Sequence, residues 1–396
     1  MKPSICITLK VHQPAQLRLY RFFDIGKESH YYDDFANRSL MKKAASRSYL
    51  PLNDLAMKLI KSSKGRFKIA FAISGSALEQ MDRYCPELID SYRDLYKTGC
   101  VDFVCEPYYH SLAAIGNESE FVHQIVKHKN ALKDYIGADA QVFTNTDMTY
   151  TDAIGETVAK QGFKAMITEG ASHILGWRSP NFVYSNVFNP DLKLLLRNPG
   201  LSDDLSLRFS SRDWDQWPLT AEKYLDWIKA AKDEQVVNIC MNTRVFGDYN
   251  DENSGIFAFL EDFANRVIND GTFSFATPTE LASLKAVDTL DVQDPVSCED
   301  EERDLAKWLG NELQKDAFNK LYALQEKLSI VNLPQLWEDY GHLQESDNFY
   351  NMNTKFFTDG GSHRYVNPYD TPYEAFINFM NVLSDFAIRV QNEQQN

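Results

Sequence analysis

The chain has 396 residues, 44% of them hydrophobic and 24% charged, an ordinary globular composition long enough to bury a core without disulfide or metal staples. Its 41 Lys and Arg against 56 Asp and Glu leave a formal charge of −15, which removes any electrostatic reason to bind nucleic acid or an anionic membrane surface.

In chain order, residues 5–11 read as an apolar strand. A helix follows over 50–62, a strand over 67–74, a helix over 77–97 and a strand over 101–105. The alternation continues with a helix at 118–135, a strand at 141–144, a helix at 154–161 and strands at 165–168 and 192–197. Thr220 is placed to cap a helix over 221–233. A strand at 236–242, a helix at 256–269 and a short strand at 273–276 complete the series. Near-continuous apolar strands separated by helices predict a parallel sheet covered on both faces, and this many units predict a barrel. Residues 292–302 are acidic, contain a Pro and read as a linker. Helical spacing then runs through 305–328, 333–343, 349–357 and 371–391, with a glycine loop from Thr358. The expected division is a barrel over residues 1–290 and a helical bundle over 291–396.

The six cysteines form no C-x-x-C pair and read as inert thiols. No His, Asp and Glu set has convincing ligand spacing, so no metal or cofactor is expected. The apolar run at the start is too short for a signal peptide, and no window approaches the roughly 20 apolar residues of a membrane span. The expected compartment is the cytoplasm.

Barrels of this type place their chemistry at the carboxyl ends of the strands. Four such ends are polar or aromatic here: Val11-His12-Gln13-Pro14, Cys105-Glu106-Pro107-Tyr108-Tyr109-His110, Thr144-Asn145-Thr146-Asp147-Met148-Thr149-Tyr150, and Asn242-Thr243-Arg244-Val245-Phe246-Gly247-Asp248.

At these residues the chain resembles the α-amylase-type members of glycoside hydrolase family 57. His12-Gln13-Pro14 resembles the family's first signature. Glu106 to His110 resembles the second, with Pro107 where Thr is usual, and Thr277-Pro-Thr-Glu280 the fifth. The likeness continues at Tyr31–Asp34, Phe71–Glu79, Leu201–Asp204, Leu343–Asp347 and Asn367–Asp370. It implies a seven-stranded incomplete (β/α) barrel, a TIM-like fold, followed by a helical bundle. It further implies action on α-1,4- and α-1,6-linked glucans such as starch and glycogen, with retention of configuration and without a metal. By the same resemblance His12, Gln13, Glu106, Tyr109, His110, Tyr150, Arg244, Asp347, Phe349 and His363 line the sugar site.

The two positions that carry the chemistry depart from the family pattern. Asp147 stands where the resemblance puts a nucleophilic Glu, and Asn242 where it puts the acid/base Asp. Retention requires two carboxyl groups about 5–5.5 Å apart, one to attack and one to donate and later accept a proton. An Asn amide does neither at neutral pH. Asp147 keeps a carboxylate but is one methylene short. The expectation is an α-glucan-binding homologue with hydrolysis lost or strongly impaired. One alternative is a hydrolase or transglycosylase in which Asp147 works with a substitute acid, for which Asp248, Asp213, His12 and His110 are candidates; another is a structural or interaction protein in which sugar binding is lost as well.

Arg244 follows Asn242 by two residues, so in an extended strand both side chains face one way, and Arg244 is expected either to form an ion pair with Asp147 or to point to solvent. His30, His123, His128, His173 and His342 have no motif context and read as surface or helix residues. Losses around the groove include Asn348, Asn351, Phe356 and Gly361. Trp177, Trp214 and Trp217 are candidate stacking platforms for sugar.

Overall fold

Among the described residues ten strands organise the fold: β1 (Ser4–Val11), β2 (Ile69–Ile73), β3 (Val101–Val104), β4 (Val142–Thr144), β5 (Ala165–Glu169), β6 (Val183–Asn186), β7 (Lys193–Arg197), β8 (Val236–Asn242), β9 (Ser274–Phe275) and β10 (Asp288–Leu290). The computed structural model describes residues 2–331, 333–355 and 367–395. Phe356, Gly361, His363 and the loop from Thr358 lie outside the described residues.

Among the described residues the parallel order runs β3, β2, β1, β8, β7, β5, β4. A bridge between Cys105 and Phe143 joins β3 to β4 and closes the ring. One residue pair, Arg197 with Asn238, joins β7 to β8, so that seam is thin. The fold is therefore an α/β barrel of seven parallel strands. Two strands not predicted from the sequence extend it: β6 turns back antiparallel onto β7, and β10 pairs with β6. Ser185 and Asn186 are buried by that pairing although their polarity hid the strand.

Most helices match the predicted spacing, and the differences have local causes. The stretch 77–97 is two helices, Gly75–Tyr84 and Pro86–Lys97, because the residue before a proline is pushed out of the helical region. Cys85 accordingly sits at φ −150°, ψ 59°. The predicted cap at Thr220 is present, its side chain accepting the Lys223 N–H. Residues 305–328 divide into Ala306–Leu309, Glu312–Tyr322 and Gln325–Leu328. The long helix Pro372–Gln395 packs on the last two of these and on Pro334–Leu343.

Residues 292–302 are not a free linker. Tyr150 and Val296 exchange backbone hydrogen bonds, the Asp152 N–H donates to the Val292 carbonyl, and the Cys298 N–H donates to the Asp147 carbonyl at 2.9 Å. The segment is thereby stitched across the end of β4.

Candidate active site

Strand alternation decides which side chains enter the barrel. Cys6, Val236 and Cys240 cluster with Ala70, Ala72, Val104, Val142, Ala165, Ile167 and Leu195, which marks their parity as the interior. Ile5, Ile7, Leu9 and Val11 have the opposite parity and pack outward. The interior is filled by small and medium apolar side chains. At the carboxyl edge the same parity delivers Lys10, Ser74, Glu106, Glu169, Arg197 and Asn242, a polar layer on an apolar floor.

Lys10 and Asn242 are register partners across β1 and β8, so their side chains leave the sheet together. The Lys10 ammonium reaches over the barrel mouth and donates to Asp147 Oδ1. Asp147 lies just past β4, 6% exposed, in a turn with φ 44° and ψ 39°. Met148 and His110 also have positive φ, at 59° and 49°. Left-handed backbone at non-glycine residues is costly and persists where surrounding structure imposes it.

His110 Nε2 lies 3.7 Å from Asp147 Oδ1, and its Nδ1 lies 3.3 Å from Glu106 Oε2. The His12 ring stacks on His110 with centroids 4.3 Å apart. His12 contacts Ser74 Oγ at 2.7 Å through Nδ1 and Asp347 Oδ2 at 2.9 Å through Nε2. Beyond Asp147, Lys307 pairs with Glu299. Oxygen and sulfur atoms of Asp147, Cys298 and Glu299 lie within 4.8 Å of one another. Lys10 and Lys307 already meet the charge of both carboxylates, so a cation bound there has to displace two ammonium groups.

These pairings set the protonation states. Burial pushes the Asp147 carboxyl up, but Lys10 and His110 outweigh it and hold it well below the usual range. Burial opposes the Lys10 charge, and Asp147 overcomes that and raises it. Burial likewise lowers His110, yet Glu106 lifts it to about 9. A histidine raised from about 6.5 in the unfolded chain stabilises the fold fully below that value and loses the contribution as pH climbs through about 9. The His110 share is of order 3 kcal/mol. His342, lifted to about 10 by Glu345 and Glu79 against its burial, adds to the same window. Urea unfolding at pH 6, 7.5 and 9 is therefore expected to show falling stability in the wild type and a shallower fall in His110→Gln.

Asn242 is tied into its own turn. Its side-chain oxygen accepts the Arg244 backbone N–H at 2.9 Å and caps the turn Thr243–Val245. The predicted Arg244–Asp147 ion pair is overturned here. The chain leaves the strand at Asn242, so two-residue alternation no longer applies, and Arg244 binds Asp248 at 2.5 Å instead. Lys10, which the sequence reading passed over, takes the place given to Arg244. Its signal was present: a lysine of interior parity in a buried strand requires a charged partner.

Other expected site residues separate into two groups. Gln13 and Arg244 line a cavity of about 200 Å³ together with Gln16, Asp33 and Asn367. Tyr109, Tyr150 and Phe349 are instead surrounded as core residues. Tyr109 packs on Gly341 and its hydroxyl meets Lys127. The Tyr150 hydroxyl donates to Asp152 at 3.0 Å and accepts from Asn186, and Phe349 packs on Phe318 and Phe379. Glu106 is fully buried, and its carboxylate oxygens have no hydrogen-bond partner of good geometry among the described residues. His363 lies outside the described residues.

His128 and His342 are helix residues as expected but not surface ones. His128 accepts the Glu106 N–H through Nδ1 and contacts the Ile73 carbonyl, while His342 bridges Glu79 and Glu345. Trp177 is 95% exposed, Trp217 is exposed and Trp214 packs on Trp227. Asp213 is exposed.

The profile of glycosyl hydrolase family 57 matches residues 6–293. A Methanocaldococcus jannaschii protein named "Putative alpha-amylase" is 36% identical over 98% of this chain and 85% of its own length. A 4-alpha-glucanotransferase from Thermococcus litoralis superposes with a TM-score of 0.66 at 13% identity, over 88% of this chain and 56% of that one. The family 57 branching enzyme of Pyrococcus horikoshii superposes with a TM-score of 0.71 at 12% identity, over 96% and 88%. The two structures share the fold. The profile covers more than half the chain and the curated relative nearly all of it, and on both grounds the chain belongs to glycosyl hydrolase family 57.

Proposed function

We propose that this protein binds α-glucan chains and that its hydrolysis of them is lost or strongly impaired. The observation that carries the reading is the amide at Asn242, where retaining chemistry needs a group that gives up a proton to the departing sugar oxygen and then takes one from water. Loss of such help costs roughly 10²–10⁴ in rate. The pairing of Asp147 with Lys10 points the same way. So does the engagement of Asp248, the nearest substitute acid in sequence, by Arg244 at 2.5 Å and Lys43 at 3.9 Å. Sugar binding is supported by the retained His12–Asp347 pair, by Gln13 and by the adjoining cavity.

Calorimetric titration with maltoheptaose, with reducing ends assayed in the same cell, tests this. Heat of binding without new reducing ends is the expected result. Cleavage at ordinary enzyme rates rejects the loss of hydrolysis, and absence of binding rejects glucan recognition.

A further inference from the structure

The inference here rests on the proposed loss of hydrolysis and deepens it. We propose that Lys10 is a positioning residue that keeps Asp147 locked as half of an ion pair and so withholds it from attack on a sugar. Three observations converge. Lys10 alone breaks the neutral interior face of β1, where Cys6 and Thr8 precede it. Its ammonium donates to Asp147 Oδ1 across the barrel mouth. Its register neighbour on β8 is the uncharged Asn242, which offers no competing carboxylate.

The nearby lysine and arginine side chains each have another partner. Lys307 pairs with Glu299, Arg197 with Glu169 and Asp203, and Arg244 with Asp248. Asp147 is thus the carboxylate that answers Lys10, with His110 at 3.7 Å as a second cation. A bound ammonium stabilises the charge that the carboxylate shares between its oxygens, and a nucleophile must surrender that stabilisation on attack. The two register neighbours then work together. Asn242 removes the proton donor, and Lys10 occupies the nucleophile.

A substrate that needs no acid separates the two effects. With α-maltosyl fluoride, an Asp147 oxygen forms a bond to the anomeric carbon as the carbon–fluorine bond breaks. The electron pair leaves on fluoride, and a glycosyl ester of Asp147 remains. That ester accumulates, because Asn242 supplies no base for water. The assay follows fluoride release and intact protein mass for the wild type, Lys10→Met, Lys10→Gln and Lys10→Arg. Either uncharged variant is expected to release fluoride about 10- to 100-fold faster than the wild type. Each is also expected to gain one maltosyl mass, lost again when Asp147→Asn is added. Lys10→Arg, which keeps the charge, is expected to stay at the wild-type rate. Two uncharged variants guard against one failing to fold. Maltoheptaose binding without faster fluoride release in a folded uncharged variant overturns the proposal. Rapid labelling of Asp147 in the wild type overturns it as well. Cleavage of maltoheptaose by the wild type instead sinks the underlying loss of hydrolysis, so the two failures are distinct.

Discussion

The triple variant Lys10→Met, Asp147→Glu, Asn242→Asp is expected to cleave maltoheptaose about 10²–10⁴-fold faster than the wild type. The aspartate returns a proton donor to the end of β8, the glutamate restores the missing methylene, and the methionine releases the carboxylate without emptying space. The gains are not additive, since groups that act as a unit give little singly. Asp147→Glu with Asn242→Asp alone is therefore expected to stay near the wild type, because Lys10 still holds the carboxylate. Reducing-end release measured beside calorimetric binding decides the matter. A triple variant that binds the sugar yet cleaves no faster shows that the activity was lost elsewhere.

Arg197→Met is expected to destabilise the fold by about 3–5 kcal/mol, the usual cost of stranding one half of a buried ion pair. Arg197 donates to Glu169 at 3.1 Å, to Asp203 and to the Cys240 carbonyl at 3.0 Å, inside the thin seam between β7 and β8. Glu169 is fully buried, and burial already raises its carboxyl pKa despite Arg197 and Arg303. Losing Arg197 leaves Arg303, 3.9 Å away, as its remaining cation among the described residues. The pH dependence gives the mechanism a signature. A carboxyl with a raised folded-state pKa binds more protons folded than unfolded, so its penalty is largest near neutral pH and shrinks as pH falls. Urea unfolding of the variant at pH 7.5 and pH 5 is expected to show the deficit narrowing toward acid. An equal deficit at both pH values assigns the cost to packing alone.

The barrel was legible in the sequence because period-two and period-3.6 patterns survive in buried strands and helices. The short polar strand β6 and the exposed β10 lack that signal and depend on pairing with neighbours. The helix break at Pro86 is readable from the proline alone. At the site, strand ends located His12, His110, Asp147 and Asn242 in one region, and the family resemblance added Asp347 from the helical part. What failed was extrapolation past a strand end. Arg244 was aimed by alternation that stops at Asn242, where the chain turns. Lys10 was hidden for the opposite reason, since it sits inside a strand where side chains are expected to be core. Tyr109, Tyr150 and Phe349 show a third difficulty. A motif places an aromatic residue near a groove, and only packing decides which way its ring faces.

The most direct measurement is single-turnover cleavage of maltoheptaose by wild-type protein in excess over sugar, so that product release cannot mask the chemical step. An amide at position 242 and an occupied carboxylate at position 147 predict a rate below about 0.01 per second. Cleavage of the bound sugar at about 1 per second or faster contradicts that account.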